Sequence, residues 1–269
     1  MAYKKIEVQS SVFHIHGFDI GFLGTNYLKD IHSVFKKILG YALDKLIEGK
    51  IIDKIGQADL FYVSTPDLVE LISKWCGRIP LWLPNPVDTD IFSPSGKIIK
   101  LEGSPACFFP ARLHGDKKPE IVIDIFQRVI KPKYKDATLH LLDIGELVNK
   151  YKKELSDAGT YFWYGFMDKE TLAAKMRGAD LIFGDFSIGA LSLLPMQAMA
   201  VKRPVVTLDK YEIVKKDISE LPELAIRILD DEKFRREYVE KNYDYILEKH
   251  SQKIVAQTHF DNLKKYCKI

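Results

Sequence analysis

The chain has 269 residues, 46% of them hydrophobic, which is enough apolar material to bury one large core or two modest ones. Its 40 basic and 37 acidic residues leave a net charge of +3, and the Lys and Arg are spread along the chain, which argues against nucleic acid as a partner. Cys76, Cys107 and Cys267 are far apart and lack metal-ligand spacing, so neither a disulfide framework nor a zinc site is expected, and a reducing cytoplasmic compartment is. The start carries charges without an apolar run of signal-peptide length, and no uninterrupted apolar stretch is long enough to span a bilayer.

Short β-rich apolar runs alternate with segments of helical period, the pattern of βα units on a parallel sheet, so the fold class is α/β. Strands are expected over 11–16 and 27–32, followed by a helix over 35–55 and a strand over 59–64. Thr65 reads as an N-cap with Pro66 at the first helical position, and that helix runs to Trp75 before Gly77. After a strand over 79–83 comes Pro84-Asn85-Pro86-Val87-Asp88-Thr89-Asp90-Ile91-Phe92-Ser93-Pro94. Three prolines and no helical period make it an extended connector, so the domain boundary is expected at or just after it.

The second part opens with a strand over 106–110, a loop over 111–118 and a helix over 119–129. Further strands are expected over 139–143, 161–164, 180–183 and 204–206, with a helix from Asp168 through Lys175 and another from about Leu193. The remainder from about Ile218 is helical and charged. Loops at the C-terminal ends of parallel strands bind ligands in such sheets. The first of these loops holds Arg112 and Lys117, whose charges suit a diphosphate.

Leu181 to Val206 places a strand, a small-residue loop and a short helix in immediate succession. The segment resembles the donor-sugar motif of the retaining glycosyltransferases of family 4, with its helix reading roughly E-A-M-A-x-G-x-P-V-V. The connector resembles that family's P-N-G-V-D-x-x-x-F-x-P segment, with Asn85, Val87, Asp88, Phe92 and Pro94 in register and Pro86 in place of glycine. Arg112 and Lys117 resemble its G-R-L-x-x-x-K-G loop, and Gly165-Phe166-Met167 its nucleobase-contacting turn.

The resemblance implies a GT-B-like fold of two Rossmann-type domains with parallel sheets. Residues 1–94 would form a shortened acceptor-side domain with the connector. Residues 95–250 would bind the donor, and 251–269 would form a C-terminal helix packing back on the first domain. It implies transfer of a sugar from a nucleoside-diphosphate sugar to an acceptor hydroxyl with retention of configuration and without a cofactor or a metal.

Arg112 and Lys117 would hold the donor diphosphate, while His16 and His32 would line the cleft near the acceptor. Gly165, Phe166, Met167, Ser187, Ile188, Gly189, Ala190, Leu191 and Gln197 would surround the rest of the donor. Gln197 stands where the family has its ribose-binding glutamate, and Gly189 where it has another glutamate eight positions earlier. A neutral acceptor in place of a charged one costs on the order of 1 kcal/mol, so Gln197 weakens that contact without removing it.

The acceptor stays open among glycan, lipid and protein, as do peripheral membrane contact and a homodimer. Two alternatives remain. The chain is a weak or inactive nucleotide- or sugar-binding module, or a regulatory subunit of a glycosyltransferase. In the other, it is an unrelated doubly wound protein that converged on similar loops.

Overall fold

The computed structural model describes residues 12–15, 49, 52–184, 186, 189–214 and 217–267. The chain divides into two compact units, Met1–Pro84 with Val255–Ile269 and Asn85–Ile254.

The described part of the first unit contains a three-stranded parallel sheet of order β1-β2-β3, with β1 at Val12–Ile15, β2 at Leu60–Val63 and β3 at Leu81–Trp82. The alternation of a strand splits β2 between two faces. Phe61 and Val63 pack with Ile55, Leu68 and Ile72, whereas Leu60 and Tyr62 pack with Leu83 and Val255. Helix α1, Asp67–Cys76, supplies Leu68 and Ile72. The C-terminal helix Gln252–Tyr266 supplies Val255 and Leu263 on the other side.

Four expectations in this unit are corrected or fall outside the described residues. Pro66, not Thr65, occupies the N-cap position of α1, and Thr65 Oγ1 is buried without a hydrogen-bond partner. The helix itself spans Asp67–Cys76, and Pro66 before it already has helical backbone angles, as a proline at the entry of a helix does. The strand expected over 79–83 shrinks to Leu81–Trp82, because Ile79 is exposed and outside the ladder. The strand expected over 27–32 and most of the helix over 35–55 lie outside the described residues, while residues 52–57 are helical.

The second unit is built on a five-stranded parallel sheet of order β6-β5-β4-β7-β8. Its strands are β4 (Ala106–Phe109), β5 (Thr138–Leu142), β6 (Tyr161–Tyr164), β7 (Leu181–Phe183) and β8 (Val205–Val206). Strands β4, β5, β7 and β8 are buried along their whole length, as expected for a sheet covered on both faces. The covering helices are α2 (Pro119–Ile125), α3 (Val148–Glu154), α4 (Lys169–Gly178), α5 (Leu193–Ala200), α6 (Leu221–Asp230) and α7 (Glu232–Tyr245). The C-terminal helix Gln252–Tyr266 is α8.

Helix α2 runs on through a π-helical Phe126–Ile130 to a last turn at Lys131–Lys133, beyond the expected end at 129. Asp168 caps α4 by accepting the Thr171 N–H at 2.7 Å. Chain order runs outward from β4 to β6, returns to β7 beside β4 and ends at β8. This reversal creates a topological switch point between β4 and β7.

Buried polar groups fasten the ends of this unit. Arg177 on α4 donates to the carbonyls of Ser93 (2.7 Å), Ile91 (2.7 Å) and Lys97 (3.1 Å), which holds the end of the connector. His140, fully buried in β5, stacks on Phe162, and burial pushes its pKa down. Its Nε2 lies 2.9 Å from the Glu102 carbonyl and its Nδ1 2.8 Å from the Tyr164 hydroxyl. The neutral ring therefore donates from Nε2 and accepts at Nδ1.

After β8, the fully buried Asp209 accepts the backbone N–H groups of Tyr211, Glu212, Ile213 and Val214 at 2.8–3.1 Å. The turn aims Glu212 at His250, 3.0 Å away, with both side chains almost wholly buried. Tyr245 donates to the same carboxylate oxygen at 2.8 Å. His250 also binds the connector, through Nδ1 to the Asn85 carbonyl at 3.1 Å and through its own carbonyl to the Val87 N–H at 2.7 Å.

Removing one partner of a buried hydrogen-bonded pair leaves the other unsatisfied and costs about 1–3 kcal/mol, whereas an apolar replacement of both is far milder. Glu212→Leu is thus expected to lower the urea midpoint of the full chain markedly, and Glu212→Leu with His250→Leu to recover much of the loss. Equal midpoints for wild type and Glu212→Leu in circular dichroism would show that the pair carries no such weight.

Candidate active site at the sheet's switch point

Arg112 follows β4 in a loop whose shape is set by the neighbouring loop after β5. The Leu113 N–H donates to the Ile144 carbonyl at 2.7 Å, and the Leu147 N–H donates to the Leu113 carbonyl at 3.0 Å. This exchange requires close approach at Gly145, which has φ +126° and where an added Cβ would collide with the Leu113 carbonyl. Glu146 completes the brace by accepting the Gly115 N–H at 3.3 Å and standing 3.4 Å from His114 Nε2.

Arg112 and Lys117 stand differently in this loop. Arg112 is exposed, and its side chain makes no hydrogen bond or ion pair with a described residue. Lys117 is about three-quarters buried and lies 3.6 Å from Asp116. A fixed loop thus presents one uncommitted guanidinium beside a partly neutralised ammonium. The guanidinium can grip two phosphate oxygens at once.

The loop after β7 is the neighbouring wall. Gly189 is buried with φ +70°, and its carbonyl accepts the Lys210 N–H at 2.8 Å. Ala190 and Leu191 are buried in the core. Gly184 sits where an added Cβ would clash with Thr207, so β7 and the chain after β8 run tightly together. Helix α5 then starts at Leu193 behind Ser192. Gln197 lies on it, half-buried, with a side chain that makes no hydrogen bond to a described residue.

The structure therefore places Arg112 and Lys117 at the end of β4 and Gly189, Ala190 and Leu191 at the end of adjacent β7, on the two sides of the switch point. Gly165, Phe166 and Met167 follow β6, two strands away from β4. Gly165 is exposed, Met167 packs against the core, and Phe166 is 90% exposed, an unusual position for a phenylalanine. Ser187, Ile188, His16 and His32 lie outside the described residues. Among the described residues no group of three or more His, Cys, Asp or Glu is placed to hold a metal ion. No helix among them is long and apolar enough to cross a membrane.

Sequence reasoning missed Asp209, Glu212 and His250. Glu212 and His250 meet only in the fold, 38 residues apart, and the burial of Asp209 over the amides of its own turn is not displayed by a linear reading.

Residues 95–245 match the model of a family described as glycosyl transferases group 1. The chain belongs to that family. TarM of S. aureus, solved with fondaparinux, α-GlcNAc-glycerol and UDP, is similar with a TM-score of 0.62 and 15% identity over 80% of this chain and 46% of TarM. HepE of Anabaena, solved with UDP and glucose, gives a TM-score of 0.67 and 14% identity over 95% of this chain and 71% of HepE. The C-terminal domain of the glycosyl transferase group 1 family protein LpcC of Francisella tularensis gives 0.50 and 19% over 62% of this chain and 99% of that domain.

At these identities the likeness shows the fold, α/β with parallel sheets as in the GT-B glycosyltransferases. The chain spans about half the length of TarM. No curated protein sequence matches it significantly.

Gly145→Ala is expected to destabilise the chain by roughly 1–3 kcal/mol through the disfavoured backbone angle and the clash with Leu113. It should also speed hydrogen exchange at the Leu113 and Leu147 amides. Gly165→Ala meets nothing within 4 Å and serves as the neutral control. Equal melting temperatures for the two variants would contradict the loop lock.

Proposed function

We propose that this family member binds a nucleoside-diphosphate sugar at the switch point and transfers the sugar, with retention of configuration, to an acceptor hydroxyl. The observation that carries the reading is Arg112. In a chain of the glycosyl transferases group 1 family, it is an exposed guanidinium with no described partner, on a braced loop at the end of the strand beside the reversal. A diphosphate leaving group gains negative charge as its bond to the sugar breaks, and a preorganised cation stabilises that charge most where it develops.

The bond between the anomeric carbon and the diphosphate oxygen breaks, and the acceptor oxygen bonds to the same carbon from the same face. The acceptor proton passes to the departing diphosphate. Arg112 and Lys117 hold the diphosphate, Gln197 accepts from the ribose hydroxyls, and the Gly189–Leu191 backbone lines the sugar. Gly165, Phe166 and Met167, with Ser187 and Ile188, complete the donor side, and His16 and His32 belong to the acceptor side. Catalysis then rests on positioning and on charge stabilisation more than on a protein nucleophile. No cofactor enters this scheme.

The second reading, a binding module or regulatory subunit without turnover, is favoured by one specific observation. Neither Gly189 nor Gln197 offers a carboxylate to the donor.

Isothermal titration of the full chain with UDP and GDP is expected to show binding of one of them. A charge-assisted hydrogen bond is worth roughly 1.5–3 kcal/mol, so Arg112→Ala should weaken that binding by about tenfold or more. Absence of heat with both nucleotides, or an unchanged affinity in Arg112→Ala, would overturn the donor site. Slow hydrolysis of a nucleotide sugar that disappears in Arg112→Ala supports the transferase. Binding without any turnover supports the module.

A further inference from the structure

We propose that the cavity between α6, α7 and the turn after β8 is a second binding site, independent of the nucleotide-sugar reading, which takes a small carboxylate with an apolar body. The cavity has a volume of about 220 Å³, lies within the second unit and is lined by none of the residues assigned above to donor or acceptor. Pockets for drug-sized ligands run to about 300–1,000 Å³, so this one suits a compact organic acid and not a nucleotide sugar.

On α7, Phe234, Tyr238 and Asn242 recur every four residues and so share one face. Arg227 on α6 and Ile213 and Val214 of the turn line the cavity with them. These parts are already held in place. Ile213 and Val214 donate their amides to Asp209, each at 2.8 Å. The Tyr238 hydroxyl donates to the Val205 carbonyl at 2.8 Å, and the Tyr238 ring stacks on Phe234 with centroids 5.7 Å apart.

Two observations point to an anionic group in the cavity. The first is Asn242, which is 1% exposed and whose Nδ2 is buried without a hydrogen-bond partner. Burial raises the Tyr238 pKa and the nearby Asn242 amide offsets part of that rise, yet Nδ2 makes no hydrogen bond of ordinary geometry. A buried donor left unsatisfied destabilises the fold, and an acceptor atom in the cavity removes that penalty.

The second is Arg227. Its guanidinium lies over the Phe234 ring, 3.9 Å from the centroid, and makes no hydrogen bond or ion pair with a described residue. A guanidinium held over a ring keeps its N–H groups free to grip both oxygens of a carboxylate. The acids beside it do not compete. Glu220 accepts the Asp217 N–H at 2.9 Å, and the exposed Glu223, four residues before Arg227, forms no ion pair with it. Lys241 adds a second cation without a described partner. An acceptor for Asn242, a carboxylate for Arg227 and apolar atoms for the two rings together describe one small acid.

The test is NMR titration of the full chain at low salt with benzoate and phenylacetate, and with benzyl alcohol as their neutral counterpart. The acids are expected to bind about tenfold or more tightly than the alcohol, with NOEs from the ligand ring to the Phe234 and Tyr238 rings. Arg227→Ala, at an exposed position, should weaken the acids about tenfold, leave the alcohol unchanged and keep the thermal melt of the wild type. Asn242→Leu should also weaken the acids, and without lowering the melting temperature, because it removes the unsatisfied donor. Lack of binding by either acid at millimolar concentration, equal affinities for acid and alcohol, or NOEs to another part of the chain overturn the site. A lowered melt with unchanged acid binding in Asn242→Leu makes that amide structural and overturns its role.

Discussion

The second unit depends on a carboxylate that never meets solvent. Asp209 draws four consecutive backbone amides onto its two oxygens, and so forces the chain after β8 into a tight turn that contains no glycine. Without that acceptor, four amides at or below the surface would each lose a hydrogen bond, a penalty larger than the stabilisation a single surface contact provides. Three consequences come from the one turn. Lys210 is brought to the Gly189 carbonyl, Glu212 is turned inward to His250, and Val214 is delivered to the core. One side of the turn thus shapes a candidate ligand loop, and the other secures the connector.

The Glu212 and His250 pair extends that constraint across the sequence. Both ring nitrogens of His250 are engaged, Nδ1 with the Asn85 carbonyl and Nε2 with the Glu212 side chain. The backbone repeats the tie, because Val87 donates to the His250 carbonyl and Gln252 donates to the Val87 carbonyl. The chain enters this unit at Asn85 and leaves it at Ile254. Entry and exit are therefore fastened side by side by a buried side-chain contact and by two backbone hydrogen bonds.

Much of the sheet was legible in the sequence, because its strands are short apolar runs separated by turn residues. The strand over 161–164 and the helix start at Leu193 came out at the expected positions. The parallel order was implied by the alternation of strand and helix, and the reversal beside β4 follows from ordinary right-handed crossovers. What stayed hidden was non-local. Glu212 reads as one more acid between the last strand and the helical remainder, and His250 as part of that charged helical remainder. Their meaning depends on a partner 38 residues away in one case and 165 in another. Helix α2 overran its expected end because the π-helical turn at Phe126–Ile130 keeps Phe126 and Ile130 in the core. Local spacing gives no sign of a shift in helical register.

The same distinction between local and non-local signals governs the candidate site. Arg112 was legible as a candidate because its charge is visible in the sequence and its loop position followed from the strand. Gly189 was legible only as a missing side chain, which by itself suggests a site that has lost a contact. The folded chain changes the meaning of that absence. The glycine's positive φ and its hydrogen-bonded carbonyl make it a backbone device, tied to a segment that arrives from beyond the next strand. A loop is the product of every segment that reaches it. One position read alone reports a missing side chain, while the two segments together report a backbone angle and a hydrogen bond that suit a glycine.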